Sequence, residues 1–217
     1  MRNSKQLLNR EKGKRCFILA NGPSLREHNL TLLKKELVIG MNASTILEKE
    51  YHFFQTYYVL SDLRFITHPL KRRFATTGLS PETVRILRSE LYNYDDNNLK
   101  NITYYVKSIG RDGFSDNISK GFYFGCSTTL LAIQLAATLG CDNIYILGLD
   151  LSNYIDPKIR FYTEDIIQEY DLFISTQIFN ICNAYKELHN KNIKIYHCNK
   201  KSLISPYIPF CCYNHLF

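Results

Sequence analysis

Between Arg15 and Ala20 the chain reads RCFILA, and between Leu37 and Asn42 it reads LVIGMN, short apolar runs with almost no polar alternation. Similar runs recur over Gln55–Leu60, Ile102–Lys107, Asn143–Gly148 and Asn192–Cys198. A strand with one face in water alternates apolar with polar residues, whereas a strand covered on both faces does not. These runs therefore predict strands of a sheet packed on both sides. Helical signals lie between them. In SPETVRILRSEL, Ser80 suits an N-cap, Pro81 the first helical position and Glu82 the acidic first turn, which predicts a helix there. STTLLAIQLAATLG opens on Ser127 and stops at Gly140, a residue suited to the left-handed cap that ends many helices. Thr163–His189 predicts one long helix or two shorter ones. The least regular stretch is Tyr92–Gly121, where NYDDNNLKN and SIGRDGFSDNISKG read as surface loops.

Strands alternating with helices over short connections predict an α/β fold. The expected form is a Rossmann-like, doubly wound, mostly parallel sheet with helices on both faces and right-handed crossovers. No internal repeat or low-complexity linker interrupts the 217 residues. A single domain over residues 1–217 is the economical reading, its core at about 12–199 and a C-terminal tail at 200–217.

In such sheets ligands bind outside the carboxyl ends of the strands, so the residues following each strand matter most. After the first come Asn21, Gly22, Pro23 and Ser24; the second ends in Asn42; Ser61 and Asp62 follow the third. Gly148 and Asp150 follow the strand beginning at Asn143, with Ser152, Asn153 and Tyr154 beyond. Small polar residues thus converge on one sheet edge. The NGPS loop is neither a GxGxxG fingerprint nor a GxxxxGKS loop. Gly22 suits a plain turn, with Asn21 and Ser24 as turn and cap residues. Alternatively, Asn21 and the N–H groups beside Gly22 bind phosphate or ribose at a helix N-terminus. Ser127 and Thr128 are N-cap residues on structural grounds, and the same helix end suits a carboxylate or phosphate. Asp62 and Asp150 are turn or cap residues, or hold a ribose, a metal or an amine. His68 stands in a basic run with Lys71, Arg72 and Arg73.

Composition sharpens this modestly. Apolar residues make up 45% of the chain, and 16 Tyr and 13 Phe stand in for the absent Trp, enough for a large core. The formal charge of +7 favours anionic partners, unless it marks only a solvated lysine-rich surface. No RNP, KH or helix-turn-helix signature accompanies it, so no nucleic-acid partner is expected. Seven Cys without a CxxC pair fit reduced thiols better than disulfides or zinc, and no metal site is expected. No Ser-His-Asp order or HExxH helix points to a hydrolase. MRNSKQLLNREKGKR lacks a signal-like apolar stretch, and no run approaches the roughly 18 residues of a membrane span. The expected location is the cytoplasm, peripheral to the inner membrane at most. The tail KKSLISPYIPFCCYNHLF either completes the core, the favoured reading, or touches that membrane.

The blocks KGKRCFILANGPSL, LVIGMNAS, YYVLSD and GCSTTLLAIQLAATLGCDNIYILGLDLSNY, in that order, resemble the MptE-like domain. That domain is named for archaeal 6-hydroxymethylpterin diphosphokinases and also occurs in bacterial motility-accessory and surface-glycan proteins. The same blocks are similar to family 42 bacterial sialyltransferases, which use a CMP-sugar on a related Rossmann-like domain. The match spans about residues 12–155 plus the strand in NIKIYHCNKKSLIS. The resemblance implies that Asn21, Gly22, Pro23 and Ser24 contact a nucleotide, with Asn42 and Ser61 beside the phosphate or sugar. Ser127 and Thr128 would hold the donor's carboxylate, and Gly148 to Asp150 the nucleoside. Family 42 enzymes place a His general base and a Tyr pair after the GxD strand. Here YIDPKIRFYTEDIIQEYDLF contains Tyr154, Tyr162 and Tyr170 but no His.

The leading expectation is a glycosyltransferase-like enzyme of bacterial surface-glycan assembly, lipopolysaccharide or capsule. It would take a nucleotide-activated acidic sugar, CMP-linked and of sialic acid or Kdo type, to a glycan or lipid-linked acceptor without a required cofactor. Tyr162 would assist the leaving phosphate, while Asp62 or His68 would handle the proton or attack. One alternative is an MptE-like diphosphokinase using ATP and Mg²⁺, with Asp62 and Asp150 as metal ligands. The other is a nucleotide-binding or scaffold protein without turnover.

Overall fold

The computed structural model describes residues 2–95, 99–151, 160–163 and 171–217. Strand β1 (Arg15–Leu19) is followed by β2 (Leu37–Met41), helix α1 (Thr45–Tyr51), β3 (Tyr57–Leu60), α2 (Arg64–Thr67) and α3 (Pro69–Thr76). Then come β4 (Val84–Arg88), β5 (Thr103–Val106), β6 (Ser108–Gly110), β7 (Phe122–Tyr123), α4 (Thr128–Leu139), β8 (Asn143–Leu147), α5 (Ile174–His189) and β9 (Lys194–His197). The main sheet is all parallel, in the order β5-β4-β3-β2-β1-β8-β9. The chain steps outward from β1 to β5, then returns to pair β8 with the other side of β1. That reversal places the switch point of the sheet between β1 and β8, where a crevice opens at their carboxyl ends.

Alternate residues of each strand enter two separate cores. Cys16 and Ile18 of β1, Ile39 and Met41 of β2, and Tyr57 and Val59 of β3 face α4 and α5. Phe17, Leu19, Val38, Tyr58 and Leu60 face the opposite layer, with Leu47 of α1, Phe65 of α2 and Ala75 of α3. Both faces are covered, which is why the strands read as unbroken apolar runs. Helix α4 has the caps expected of it. The Ser127 hydroxyl accepts from the Thr129 N–H at 3.2 Å, and Gly140 ends the helix at φ +79°.

Three expectations need correction or refinement. SPETVRILRSEL is not a helix: Val84–Arg88 forms β4, parallel to both β3 and β5. Val84 and Ile86 enter one core and Leu87 the other. Arg85, polar in the pattern, is 1% exposed and paired with Asp95, so a buried charge disguised a period of two. SIGRDGFSDNISKG is only partly loop, since β6 pairs with β7 in a small parallel sheet. Buried polar residues on α4 hold it: the Gln134 Oε1 accepts N–H bonds from Ser115 and Tyr123, both at 3.0 Å. The Thr138 hydroxyl accepts from Ile118 N–H at 2.9 Å. Of Thr163–His189, α5 accounts for Ile174–His189, and residues 164–170 lie outside those described.

The tail completes the core. Ile204, Ile208 and Tyr213 are buried, and Phe217 stacks on Phe17 with ring centroids 5.7 Å apart. Among the described residues, no helix is long and apolar enough to cross a membrane.

Candidate functional site

A cleft of about 520 Å³ opens at the carboxyl ends of β1, β2 and β8, walled on the far side by the start of α4 and the residues preceding α5. Of the sequence-predicted residues it gathers Asn21, Gly22, Pro23, Asn42, Asp62, Ser127, Thr128, Gly148 and Asp150. Its size suits a small organic ligand.

Two side chains in its wall are unusual. Asn21 Oδ1 and Asn42 Oδ1 are both buried acceptors without a hydrogen-bond partner among the described residues. Such an atom costs about 1–3 kcal/mol until a donor meets it, and most buried polar atoms have one. Asn42 is 9% exposed and sits at φ +52°, just past β2, with its main-chain oxygen held by the Tyr58 phenol at 2.7 Å. Two more non-glycine residues of the cleft share this left-handed backbone, Cys126 at φ +55° and Leu151 at φ +51°. Side chains other than glycine rarely adopt it without a local reason.

The NGPS loop is pressed against the end of β8. Gly22 N–H donates to the Gly148 carbonyl at 2.8 Å. A Cβ on Gly22 would lie 2.4 Å from the Asp150 carboxyl carbon, so only glycine fits. Asp150, 6% exposed, accepts the Ser24 N–H at 2.9 Å, the Ser24 hydroxyl, and the Asn199 side-chain amide at 2.7 Å. Its carboxylate thus works first as a clamp on the loop.

The opposite wall is the positive end of α4, whose Ser127, Thr128 and Thr129 line the cleft. A helix end of this kind attracts a phosphate or carboxylate. Ser61 lies behind this wall rather than in it, 1% exposed, its hydroxyl 2.9 Å from that of Thr128. Ser24 likewise stands behind the loop, turned onto Asp150.

Two expected catalytic residues stand apart from the cleft. His68 is exposed at the start of α3 and is not among its walls. Tyr162, 9% exposed, packs between Phe74 and Phe161, with centroids 5.3 and 4.9 Å away. Both are displaced for the same reason: their neighbours Phe65, Ile66 and Phe161 fill the core opposite α4 and draw these segments onto that face. Asp62 does reach the cleft, with its carboxylate in an ion pair with Arg64 at 2.7 Å. Ser152, Asn153, Tyr154 and Tyr170 lie outside the described residues.

Several residues of the site were not anticipated. Arg64 and Arg160 bring positive charge to the cleft, and Asp171 joins them. The Asp171 carboxylate is held by Phe173 N–H at 2.9 Å and the Gln177 amide at 2.6 Å. Cys126 lines the cleft with a thiol pushed up by burial, against the opposing pull of the Arg111 charge. Asn199 is the residue that the strand-end rule finds when applied to the last strand as well. The resemblance pointed to YIDPKIRFYTEDIIQEYDLF, which holds Arg160 and Asp171, but singled out only its tyrosines.

Among the described residues, no three His, Cys, Asp or Glu stand together as a metal-binding group. Asp62 is engaged by Arg64, and Asp150 by Ser24 and Asn199.

No protein-family model matches the chain, and no curated protein sequence does. Solved structures do. The sialyltransferase CstII from Campylobacter jejuni, in complex with a substrate analogue, cytidine-5'-monophosphate, superposes with a TM-score of 0.56 at 16% identity. That match covers 92% of this chain and 85% of the sialyltransferase. The MAf glycosyltransferase from Magnetospirillum magneticum AMB-1 gives a TM-score of 0.59 at 13% identity, over 96% of this chain and 37% of that one. The chain thus spans little more than a third of the MAf protein. What is shared at these identities is the Rossmann-like fold that both glycosyltransferases use.

Proposed function

We propose that this chain is a glycosyltransferase that takes a CMP-linked acidic sugar as donor and serves surface-glycan assembly, with a glycan or lipid-linked acceptor. The observation that carries the reading is the pair of buried amide oxygens, Asn21 Oδ1 and Asn42 Oδ1, that line the cleft and have no partner among the described residues. An amide oxygen accepts only, so each calls for a ligand hydroxyl or amino group. A nucleoside carries both, in its ribose hydroxyls and, for cytosine, the exocyclic amine. The fold shared with a sialyltransferase solved with cytidine-5'-monophosphate supports the choice of nucleotide.

In this reading the nucleoside lies along the Asn21–Gly22 loop and the Gly148–Asp150 end of β8. Its phosphate and the sugar carboxylate turn toward Ser127, Thr128 and the amino end of α4. Charge grows on the phosphate as the glycosidic bond breaks, and a fixed helix end stabilises that charge without reorganising. Arg160 adds a cation to the same cleft. Asp62 is the described carboxylate best placed for the acceptor's proton once its pairing with Arg64 is exchanged for the acceptor hydroxyl.

Thermal-shift measurements against CMP, CMP-sialic acid, CMP-Kdo, UDP-sugars and ATP with Mg²⁺ test it. A ligand at a hundredfold its dissociation constant stabilises by about 2.7 kcal/mol. For a chain of this length that is a shift of about 5–11 °C. Cytidine nucleotides are expected to give it. A response to ATP with Mg²⁺ and none to CMP contradicts the proposal.

One observation favours a second reading, nucleotide binding without turnover. Asp62, Asp150 and Asp171 are all held by protein donors. Release of CMP from CMP-sialic acid or CMP-Kdo with a panel of glycan acceptors, followed by chromatography, separates the two: a protein that binds CMP yet forms no glycosylated acceptor and releases no CMP above the protein-free rate is the non-catalytic one.

A further inference from the structure

The turn after β9 is tied to the nucleotide loop through a single buried carboxylate. Asn199 uses both ends of its amide. Its Oδ1 accepts the Lys201 N–H at 2.9 Å, which folds the turn, and its Nδ2 donates to Asp150 Oδ1 at 2.7 Å. The same carboxylate receives the Ser24 N–H at 2.9 Å and the Ser24 hydroxyl. Two further bonds fasten the turn to this strand end: the Ser202 hydroxyl to the Leu149 carbonyl at 2.5 Å, and Leu203 N–H to the Asp150 carbonyl at 3.3 Å. Asn199 is partly buried and Asp150 is 6% exposed, so water competes little for these bonds.

We infer that Asn199 is a positioning residue: through Asp150 it holds the Asn21–Ser24 loop in the conformation that presents Asn21 Oδ1 to the nucleotide. This rests on the nucleotide-binding reading of the cleft. The physical argument is one of orientation. A carboxylate held only by the two donors of Ser24 moves with that residue, and the Asn199 Nδ2, bonded to the same Oδ1 that takes the Ser24 hydroxyl, ties it to a third point on the turn after β9. Gly22, with no room for a Cβ against that carboxylate, follows any such movement directly.

Two variants test it. Asn199→Ala removes the donor, and CMP affinity measured by calorimetry is expected to fall tenfold or more. Asn199→Asp sets a second carboxylate against Asp150, so the two share a proton at low pH and repel at high pH. The ratio of variant to wild-type CMP affinity is therefore expected near 1 at pH 5 and to fall progressively by pH 8. A merely structural role does not produce that profile. His28 feels the Asp150 charge, and Lys200, Lys201 and Arg160 stand nearby. The phosphate is common to both proteins and cancels in the ratio, and a His28→Asn background in both removes the imidazole that the second carboxylate would also reach.

Amide exchange at Gly22 and Ser24, without ligand, separates this inference from the function proposal. Faster exchange there in Asn199→Ala, with the global unfolding midpoint of β1 and β8 amides retained, supports positioning even if the wild type binds no nucleotide. Unchanged exchange at Gly22 and Ser24 overturns it. So does wild-type CMP affinity in Asn199→Ala, or a flat pH ratio in Asn199→Asp.

Discussion

Replacing Gly22 by Ala adds one carbon at the tightest contact in the cleft. The Gly22 backbone has φ −71°, which alanine adopts without strain, so the effect is purely steric. The new Cβ would stand 2.4 Å from both the carboxyl carbon and Oδ2 of Asp150, and 2.6 Å from the main-chain oxygen of Gly148. Ordinary contact begins at 3.4 Å, so the loop and the β8 end must part by about 1 Å. Overpacking of this kind costs about 1–3 kcal/mol. The same movement weakens the Ser24 bonds to a buried carboxylate, each contributing about 1.5–3 kcal/mol. A loss of about 3 kcal/mol follows, which lowers the melting temperature by about 6–12 °C for a chain of this size. Circular dichroism during heating measures it. Asp150→Ala in the same chain removes the side-chain part of the clash, so the double variant should lose less than the sum of the single losses. A Gly22→Ala protein that melts within about 2 °C of wild type refutes the reasoning, because the loop would then not be pressed on Asp150.

Away from the cleft, Asp95→Ala strands the buried Arg85 guanidinium and should cost about 3–5 kcal/mol in urea unfolding; a loss under about 1 kcal/mol contradicts the burial of that pair. Burial pushes the Glu11 carboxyl up, but hydrogen bonds from Lys14 and Tyr57 and the charges of Lys14 and Arg10 outweigh it and hold the group below its ordinary 4.5. A carboxyl lowered on folding stabilises fully above its unfolded value and loses that contribution as pH falls through the folded one. The stability gap between wild type and Glu11→Gln should therefore be constant above pH 4.5 and close below it, read from urea midpoints across pH. Burial raises the Cys126 thiol, so iodoacetamide should label it slowly at pH 7 and faster as pH rises; saturating CMP should block that labelling, and unprotected labelling places the nucleotide elsewhere.

Much of the fold was legible because burial on both faces writes strands as unbroken apolar runs. RCFIL, LVIGM and NIYIL show this plainly, and Ser127 and Gly140 mark the ends of α4 by local chemistry alone. Val84–Arg88 was not legible, since its buried Arg85 is neutralised by Asp95, which lies ten residues on and beyond the strand itself. A sequence pattern registers the charge but not its partner. The site divides in the same way. Asn21, Asn42 and Ser127 could be found because strand ends and helix starts are local features. Asp150 was found for its position, yet its engagement depends on Ser24 and Asn199, residues far away along the chain. His68 and Tyr162 were chosen for their chemistry, and their placement follows from where Phe65, Ile66 and Phe161 pack, a tertiary matter.

The central claim is that the Asn21 and Asn42 amide oxygens await donors from a nucleotide. Asn42→Gly tests it most cleanly, because glycine accepts the φ of +52° and leaves the main-chain bond from Tyr58 in place. Calorimetric titration of CMP into wild type, Asn42→Gly and Asn21→Ala is the measurement. Saturable one-to-one binding to wild type, weakened about tenfold or more in each variant, is the predicted result, as the loss of about 1.4 kcal/mol or more per bond requires. No heat of binding in the wild type, or equal affinity in all three proteins, would contradict the account.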